Sequence, residues 1–367
     1  MLRQVAAVVC GACLVACTAQ SGQEITLPEM SDQTLAKVTS VKDQGLSGTC
    51  WAFGGLSFLE SEIMRRGGAA CDLAEMWVVR HAYKEKIVKY VRTKGRAEFS
   101  RGGTVQDALM IIDHYGIVPQ EVYSCGVADG QYDHTILHHN VKNLAKRLVA
   151  TKAYYHKGWM DEIDRALDRF MGACPEQFEV EGVTYTPKEY AAHLGLKKQD
   201  YMGIASYAHH PFHELFTLEI PDNWAAQRTL NLPLDSLMHT VDRALEAGVS
   251  LAFSSDVKEV GFSSGIAALP CKGQPFALPV KEEREVDQSL RQAMFDHQTT
   301  TDDHIMQLVG VARDPLGRKY YKVKNSWGTK QAYGGYWYMS PTYLAAKHIE
   351  ILVPCAFLFP QEPTSEH

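Results

Sequence analysis

The sequence lacks the features that mark several large classes of protein. Its 37 Lys and Arg residues are outnumbered by 43 Asp and Glu residues, giving a formal net charge of −6, so it has no basic excess for binding nucleic acid. It contains no internal repeat and no low-complexity segment. Beyond its N-terminus no apolar run approaches the roughly 18 residues of a membrane span. These absences indicate a globular protein, and its 367 residues are enough for one large domain or two modest ones.

The nine cysteines form no Cys-x-x-Cys pair and no Cys/His cluster with the spacing of a zinc site. Three belong to the N-terminal segment, and Cys50 is considered below. Export would permit disulfides among the other five, but an odd number leaves at least one free thiol and the pairing cannot be read from sequence. These five are Cys71, Cys125, Cys174, Cys271 and Cys355.

The N-terminal segment is typical of a targeting signal rather than of a fold. Met1-Leu2-Arg3 is a short positive region, and residues 5–15 are apolar but too few to span a membrane. Leu14-Val15-Ala16-Cys17 resembles a bacterial lipobox, in which the cysteine is lipidated and becomes the first mature residue. The alternative is an ordinary signal peptide cleaved nearby, with Cys17 left free.

The lipobox interpretation predicts four parts of the chain. They are a lipoprotein signal peptide (1–16), a polar tether and extended lead-in segment (17–37), a main domain (38–355) and a C-terminal tail (356–367). Several acyl chains on Cys17 would give a firm anchor, since a single chain is marginal. We therefore predict an exported protein attached to a bacterial membrane, facing the periplasm or the cell surface.

Cys50 stands where a polar, glycine-containing loop meets an apolar run. The residues after it have helical spacing to about Arg66, so Cys50 is predicted to lie in the first turn of a helix. Free N–H groups and the positive end of the helix dipole favour a thiolate there, and a thiolate is an activated nucleophile. Gln44, six residues upstream, is placed to donate to an oxyanion at the same point. The alternative is a buried structural cysteine that opens a core helix.

A cysteine nucleophile needs a base and a group that orients the base. His304 immediately precedes one predicted strand, and Asn325 immediately follows the next one. If the two strands are hairpin partners, both residues lie at the same end of the pair. The Asn325 amide oxygen then accepts from the imidazole, the other ring nitrogen faces Cys50, and Trp327 shields the bond from water. The alternative for a lone histidine at a strand edge is a core or surface residue.

Three other groups have a structural and a functional interpretation. Gly102 and Gly103 form either a turn or a place where a peptide backbone approaches closely. The basic residues within 84–94 are interpreted as a solvated helix face. The cluster His209, His210 and His213 has no acidic partner at convincing spacing beyond Glu214, so we interpret it as a surface loop and predict no metal site.

The hydrophobic pattern changes along the chain. Helices are predicted near 50–66, 73–91, 105–115, 140–172, 187–194 and 232–247. Strands are predicted near 249–253, 305–311, 319–324, 334–339 and 349–354. A helical first half followed by a sheet-rich last third predicts an α+β fold with two lobes.

These segments together resemble the papain-like cysteine peptidases. The block Gln44–Phe53 looks like the family's nucleophile motif, Asp303-His304 like its histidine segment, and Lys324-Asn325-Ser326-Trp327-Gly328 like its Asn-Ser-Trp-Gly segment. Gly102-Gly103 looks like the glycine pair that aligns the substrate backbone. The resemblance covers roughly residues 38–125 and 240–355. It implies a helical left lobe and a right lobe built from an antiparallel β-sheet or barrel.

The resemblance also implies roles for individual residues. Catalytic roles fall on Cys50, His304, Asn325 and Gln44. Substrate-binding roles fall on Gly102, Gly103, Trp51, Asp303 and Trp327. It implies neither a metal nor an organic cofactor, and peptides as the substrates.

Two departures are similar to the bleomycin hydrolase and aminopeptidase C branch of that family. Ser47 replaces the usual cysteine, which removes a disulfide, and His304 lies 254 residues after Cys50 instead of about 130–150. The extra length is predicted as a helical insertion over about 127–231. Members of the branch are cytosolic hexamers whose C-terminal tail lies in the cleft, whereas here the tail is short and polar and an export signal is predicted.

The sequence therefore predicts a cysteine peptidase, most simply an aminopeptidase acting on peptides outside the cytoplasm. An endopeptidase, or a lipoprotein that binds peptides without cutting them, are the alternatives. The short stretch before Cys50 predicts no propeptide. Homo-oligomers are compatible with the resemblance, but the sequence does not fix the oligomeric state.

Overall fold

The computed structural model describes residues 27–125, 132–274, 276–278, 280 and 282–358. The helices in these ranges are α1 (Cys50–Arg65), α2 (Glu75–Arg92), α3 (Asp107–Tyr115), α4 (Thr135–Ala150), α5 (Trp159–Met171), α6 (Pro187–His193), α7 (Leu234–Glu246), α8 (Gln288–Asp296) and α9 (Pro341–Lys347). The strands are β1 (Ser31–Leu35), β2 (Phe178–Val180), β3 (Val183–Tyr185), β4 (Tyr201–Ala205), β5 (Leu215–Thr217), β6 (Arg228–Asn231), β7 (Leu251–Ser255), β8 (Phe262–Ser263), β9 (Ile266–Ala267), β10 (His304–Arg313), β11 (Lys319–Lys324), β12 (Tyr336–Met339) and β13 (His348–Pro354). None of the helices in the described ranges is long and apolar enough to cross a membrane.

Most strands join one sheet, with the order β5-β6-β4-β13-β7-β10-β11-β12-β9-β8 and with β1 beside β10. The pairs are antiparallel except for β4 with β6 and β9 with β12. The predicted sheet is therefore present, but within the described residues it does not close into a barrel, because the end strands β5 and β8 do not pair with each other. Of the two predicted forms, sheet or barrel, the described residues form the sheet, and the prediction of an α+β fold is confirmed.

The predicted insertion is not purely helical. Its first half folds as α4 and α5, and α6 begins as predicted, with a Thr186–Glu189 capping box before Pro187. Its second half forms short strands, and β4, β5 and β6 extend the main sheet. Single-sequence periodicity misses such strands because three to five residues hold too few repeats of the pattern.

Helix α1 lies between two hydrophobic cores. One core is built mainly from helices of the first half, and the other from β7, β10, β11, β12, β13 and α7. Gly54 allows the close approach of α1 to β10, since a Cβ there would lie 2.8 Å from Ile305 Cγ2. The buried Gln307 fastens the contact by accepting from Ser57 Oγ at 2.6 Å and donating to Ser61 Oγ at 2.8 Å. The start of α1 is thereby fixed against the start of β10.

Candidate active site

The packing of α1 on β10 places Cys50 beside His304. Cys50 is the first residue of α1, and His304 is the first residue of β10. The thiol is hydrogen-bonded by the backbone N–H of Ile305, the residue that follows the histidine. Cys50 therefore lies next to the start of β10, although it is 254 residues before His304 in sequence.

Asn325 holds the imidazole in one orientation. Its Oδ1 lies 2.7 Å from His304 Nε2 and also accepts from the backbone N–H of Ser326 at 2.7 Å. The second bond fixes the amide, since a backbone N–H can only face the oxygen. The proton of neutral His304 is therefore on Nε2, which leaves Nδ1 as the ring nitrogen available for proton transfer. Strands β10 and β11 are antiparallel partners, which is why both residues stand at one end of the pair.

Trp327 covers the histidine–asparagine bond. Its ring stacks on the imidazole with centroids 4.7 Å apart and an angle of 27° between the planes. His304 is buried, with 5% of its surface exposed. The predicted shielding role of Trp327 therefore matches its position.

Gln44 is oriented by the segment that carries Asn325. Its backbone N–H donates to the Ser326 carbonyl at 2.8 Å, and its side-chain Oε1 accepts from Ser326 Oγ at 2.7 Å. The amide Nε2 is thus the end that can donate to a substrate oxygen. Gly45 makes the turn after Gln44 with a φ of +53°, and a Cβ there would lie 2.6 Å from the Tyr132 carbonyl oxygen, so only glycine fits.

Ser47, noted above in place of the usual cysteine of the papain-like motif, is fully buried and accepts from Thr49 Oγ1 at 2.8 Å. A hydrogen bond thus replaces a covalent link in the loop before the nucleophile. The six cysteines within the described ranges are all free thiols. Cys17, the predicted signal peptide and most of the C-terminal tail lie outside the described residues.

Burial dominates the electrostatics of the reacting pair. It raises the pKa of the Cys50 thiol to about 12, although backbone hydrogen bonds from Ile305 and Trp51 oppose the shift. It lowers the pKa of His304 to about 4, against the opposing effects of Asn325 and Asp303. The expectation that the helix N-terminus would lower the thiol pKa was therefore wrong, because desolvation outweighs the dipole.

The Gly102–Gly103 loop is held by a buried lysine whose contact with the loop the sequence did not indicate. Lys86, with 2% of its surface exposed, donates to the carbonyl oxygens of Ser100 and Gly102. The prediction that the basic run is a solvated face is thus wrong for this residue. Burial lowers the Lys86 pKa to about 8, while the negative charge of Asp107 opposes the shift.

Trp51 also contacts the segment that carries this glycine pair. Only 1% of its surface is exposed, and its Nε1 donates to the Arg101 carbonyl at 3.0 Å. Asp107 accepts from Trp224 Nε1 at 2.6 Å, which ties the insertion to the loop. Trp51 was predicted to bind substrate, but its burial makes it a positioning residue.

Replacing Lys86 by methionine is expected to raise KM roughly tenfold and to change kcat little, because the loop predicted to align the substrate loses two hydrogen bonds from a charged donor. Steady-state kinetics on a fluorogenic peptide would measure this. The matched control is Lys84→Met on the same helix, where the lysine pairs with Asp164 away from the loop. A fall in kcat with unchanged KM would contradict the assignment.

Asp303 is directed away from the imidazole. Its carboxylate pairs with Lys258 Nζ at 2.7 Å and accepts from Thr301 Oγ1 at 3.1 Å. It was predicted to contact substrate, but in the structure it braces the turn before β10. Two other acidic residues act on Cys50: Asp302, which precedes Asp303, and Asp222, which is distant in sequence. The negative charge of each opposes ionisation of the thiol. Neither was predicted.

The histidine cluster has an acidic partner that sequence spacing did not reveal. His210 Nε2 lies 2.7 Å, and His209 Nε2 3.4 Å, from the carboxylate of Glu219, not Glu214. The Gln292 amide donates to His209 Nδ1 at 2.9 Å and is fixed by the Ala208 N–H on its oxygen. The proton of neutral His209 is therefore on Nε2, facing the carboxylate. One ligand atom from each of His209, His210 and Glu219 lies within 4.8 Å of the others, a spacing that could hold a metal ion, so the absence of a metal site stays a prediction.

Comparison with known proteins agrees with this geometry. A model of the Peptidase C1-like family matches residues 77–365, a span that includes His304 and Asn325 and begins after Cys50. The chain is 26% identical to aminopeptidase C of Streptococcus thermophilus over 293 residues, which are 71% of this chain and 64% of that protein, so less than two thirds of that relative is spanned. It is 24% identical to aminopeptidase C of Lactococcus lactis subsp. cremoris, covering 89% of this chain and 83% of the relative.

Among solved structures, that of PepW from Lactobacillus rhamnosis HN001 matches with a TM-score of 0.68 at 21% identity. The match covers 89% of this chain and 82% of that chain. At this identity the likeness speaks for a shared fold. It agrees with the two-lobed α+β architecture described above.

Proposed function

The chain belongs to the Peptidase C1-like family, and we propose that it is a cysteine peptidase that removes residues from the amino terminus of peptides. The observation that carries the proposal is the arrangement at the start of β10. His304 is bonded to Asn325 at 2.7 Å beneath Trp327, and the Cys50 thiol lies against the next backbone N–H. A base, its orienting amide and a nucleophile are the parts that covalent acyl transfer requires.

In the proposed reaction, the Cys50 sulfur attacks the peptide carbonyl carbon while its proton passes to His304 Nδ1. The negative charge forms on the carbonyl oxygen and the positive charge on the imidazolium in the same step, so the two charges appear as a pair. The Cys50 backbone N–H and Gln44 Nε2 donate to the oxyanion, a contribution of roughly 3–4 kcal/mol per donor. His304 then protonates the leaving amine, and water hydrolyses the thioester with His304 as base. No step requires a metal or an organic cofactor.

Two observations favour an aminopeptidase over an endopeptidase. Relatives that align with most of this chain are named aminopeptidases. The insertion also places Asp222 against Gly102, where a Cβ would lie 1.8 Å from the Asp222 Oδ2. Protein therefore occupies space beside the substrate-aligning loop, which suits a short N-terminal segment better than a long chain.

One assay on protein lacking residues 1–17 tests the proposal. Fluorogenic peptides with a free amine and their N-acetylated counterparts are compared, and thiol dependence is measured with the Cys50→Ala variant alongside. We expect thiol-dependent turnover with a strong preference for the free amine. Equal turnover of both forms would identify an endopeptidase, and the absence of turnover for every peptide would favour a peptide-binding protein.

The pH dependence of kcat/KM should report the buried histidine. Activity requires neutral His304, and because its pKa is lowered to about 4, the acid limb should lie well below the ordinary value of 6.5. The Cys50 pKa is raised, so the thiol keeps its proton through the neutral range. Trp327→Leu should move the acid limb upward, because water then reaches the imidazole. An acid limb near 6.5 in both proteins would contradict this prediction.

We propose that the protein is exported and anchored through lipid on Cys17, with its peptidase domain outside the cytoplasm. The support is the lipobox-like sequence Leu14-Val15-Ala16-Cys17. Cys17→Ser should move the protein from the membrane fraction to the soluble fraction, since the modified thiol is lost. A protein that stays in the membrane fraction after this change would overturn the anchor.

A further inference from the structure

A cavity of about 210 Å³ adjoins the segment before His304, and three carboxylates line it: Asp222, Asp302 and Glu219, the last of which is paired with His209 and His210. Asp302 belongs to the segment just before His304. Asp222 comes from the insertion and lies against Gly102 in the substrate-aligning loop. Other lining residues include Pro221, Phe295 and Thr301. The negative charges of Asp302 and Asp222 both act on the Cys50 thiol, so these two carboxylates are within electrostatic range of the reacting sulfur.

Asp302 has no cation to balance it in the described part of the chain. One of its oxygens accepts from Ser254 Oγ. The other, Oδ2, is buried and has no hydrogen-bond partner among the described residues. Its charged neighbours are acidic, namely Asp222, Glu350 and Asp303, and together with burial they raise the Asp302 pKa to about 7. A buried carboxylate in such surroundings is costly unless something positive binds it.

The neighbouring acids are better satisfied, which distinguishes Asp302 from them. Asp303 is paired with Lys258. Asp222 accepts from Ser100 Oγ at 2.9 Å and is near the buried cation of Lys86. Among these acids, Asp302 is therefore the one without a cationic partner in the described residues. It lies two residues before His304 in sequence.

We propose that Asp302, assisted by Asp222, binds the α-ammonium group of the substrate and so selects peptides with a free amino terminus. This inference rests on the proposed peptidase activity and deepens it. A substrate strand along Gly102 and Gly103 presents its carbonyl to Cys50, and its free amine is then one or two residues away, at about 3.3–3.6 Å per residue. The amine reaches the carboxylate from the cavity, and rotation about the Asp302 Cβ–Cγ bond turns Oδ2 toward it.

The test compares wild type with Asp302→Asn and Asp222→Asn on three substrates. These are a free-amine peptide, its N-acetyl form, and an N-acetyl peptide with Lys next to the cleaved residue. Asp302→Asn should lower kcat/KM for the free-amine peptide about 10- to 150-fold, the value of a charged hydrogen bond, chiefly by raising KM. Turnover of the N-acetyl peptide should change little, so the preference for a free amine should collapse. Asp222→Asn should act in the same direction with a smaller effect.

The control is Glu176→Gln, which removes one negative charge from an exposed position outside the cavity and should leave all three rates unchanged. A wild-type protein that cleaves none of the peptides overturns the proposed function itself. A wild type that prefers the free amine, with the same preference in Asp302→Asn, overturns only this inference. A loss confined to the acetylated lysine peptide also overturns it, because the cavity would then bind a basic side chain. Asp222→Asn keeps the test decisive if Asp302→Asn does not fold.

Discussion

Replacing Cys50 by alanine is expected to lower kcat by about 10⁵- to 10⁶-fold, to the level that binding and oxyanion donors alone provide. The nucleophile acts as a unit with its base, so this loss should nearly equal that of Cys50→Ala combined with His304→Ala. Peptide binding should persist in the alanine variant, because Lys86, Gly102 and Gly103 are untouched. Kinetics on free-amine peptides, with calorimetric binding to the inactive variant, would measure both effects.

Cys50→Ser is the matched control for the same position. A hydroxyl keeps the size and the hydrogen bond at the Ile305 N–H, but it is a far weaker nucleophile at the same pH. Activity near the wild-type level in either variant would show that the attacking group is elsewhere. The thiol's burial also predicts slow alkylation of Cys50 at neutral pH, since only the thiolate reacts and the pKa is raised.

Replacing Gln44 by alanine is expected to reduce kcat by about 10²- to 10³-fold, the effect of deleting one oxyanion donor. KM should change little, because the donor acts on charge that develops only in the transition state. Gln44→Glu is the sharper variant. It preserves the shape and keeps an acceptor for Ser326 Oγ, but it replaces the donating amide by an oxygen.

The two Gln44 variants separate donation from packing. Both should lose kcat to a similar extent if Nε2 donates to the oxyanion, and the glutamate should lose more because its charge repels the oxyanion. An active Gln44→Glu protein would mean that the side chain only supports the loop. Thermal unfolding of both variants reports whether the contact with Ser326 survives.

The sequence predicted helix starts and strand bounds well where the pattern lies within a single helix or strand. The polar loop before an apolar helical run placed Cys50 at the first residue of α1, and the Thr186-Pro187 pair placed the start of α6. The alternating strand before Asn325 predicted β11 to the residue. These patterns are readable because each depends on neighbours within one helix or strand.

Packing reversed several interpretations made from the same residues. Lys86 stands among other lysines and looks solvated, but α2 turns it under the Gly102 carbonyl. The thiol of Cys50 looks activated by its helix, but its surroundings raise its pKa. Composition and spacing cannot report desolvation, because it depends on atoms contributed by distant segments.

By itself the sequence determined the order of the motifs and the α+β class, and it predicted the candidate set Gln44, Cys50, His304 and Asn325. Each of these follows from residue type and short-range spacing. Only the tertiary structure decided that the sheet stays open, that Glu219 rather than Glu214 meets the histidines, and that Asp222 and Asp302 share a cavity near Cys50. The physical reason is that these contacts join elements far apart in the chain, where the fold alone brings side chains within reach of one another.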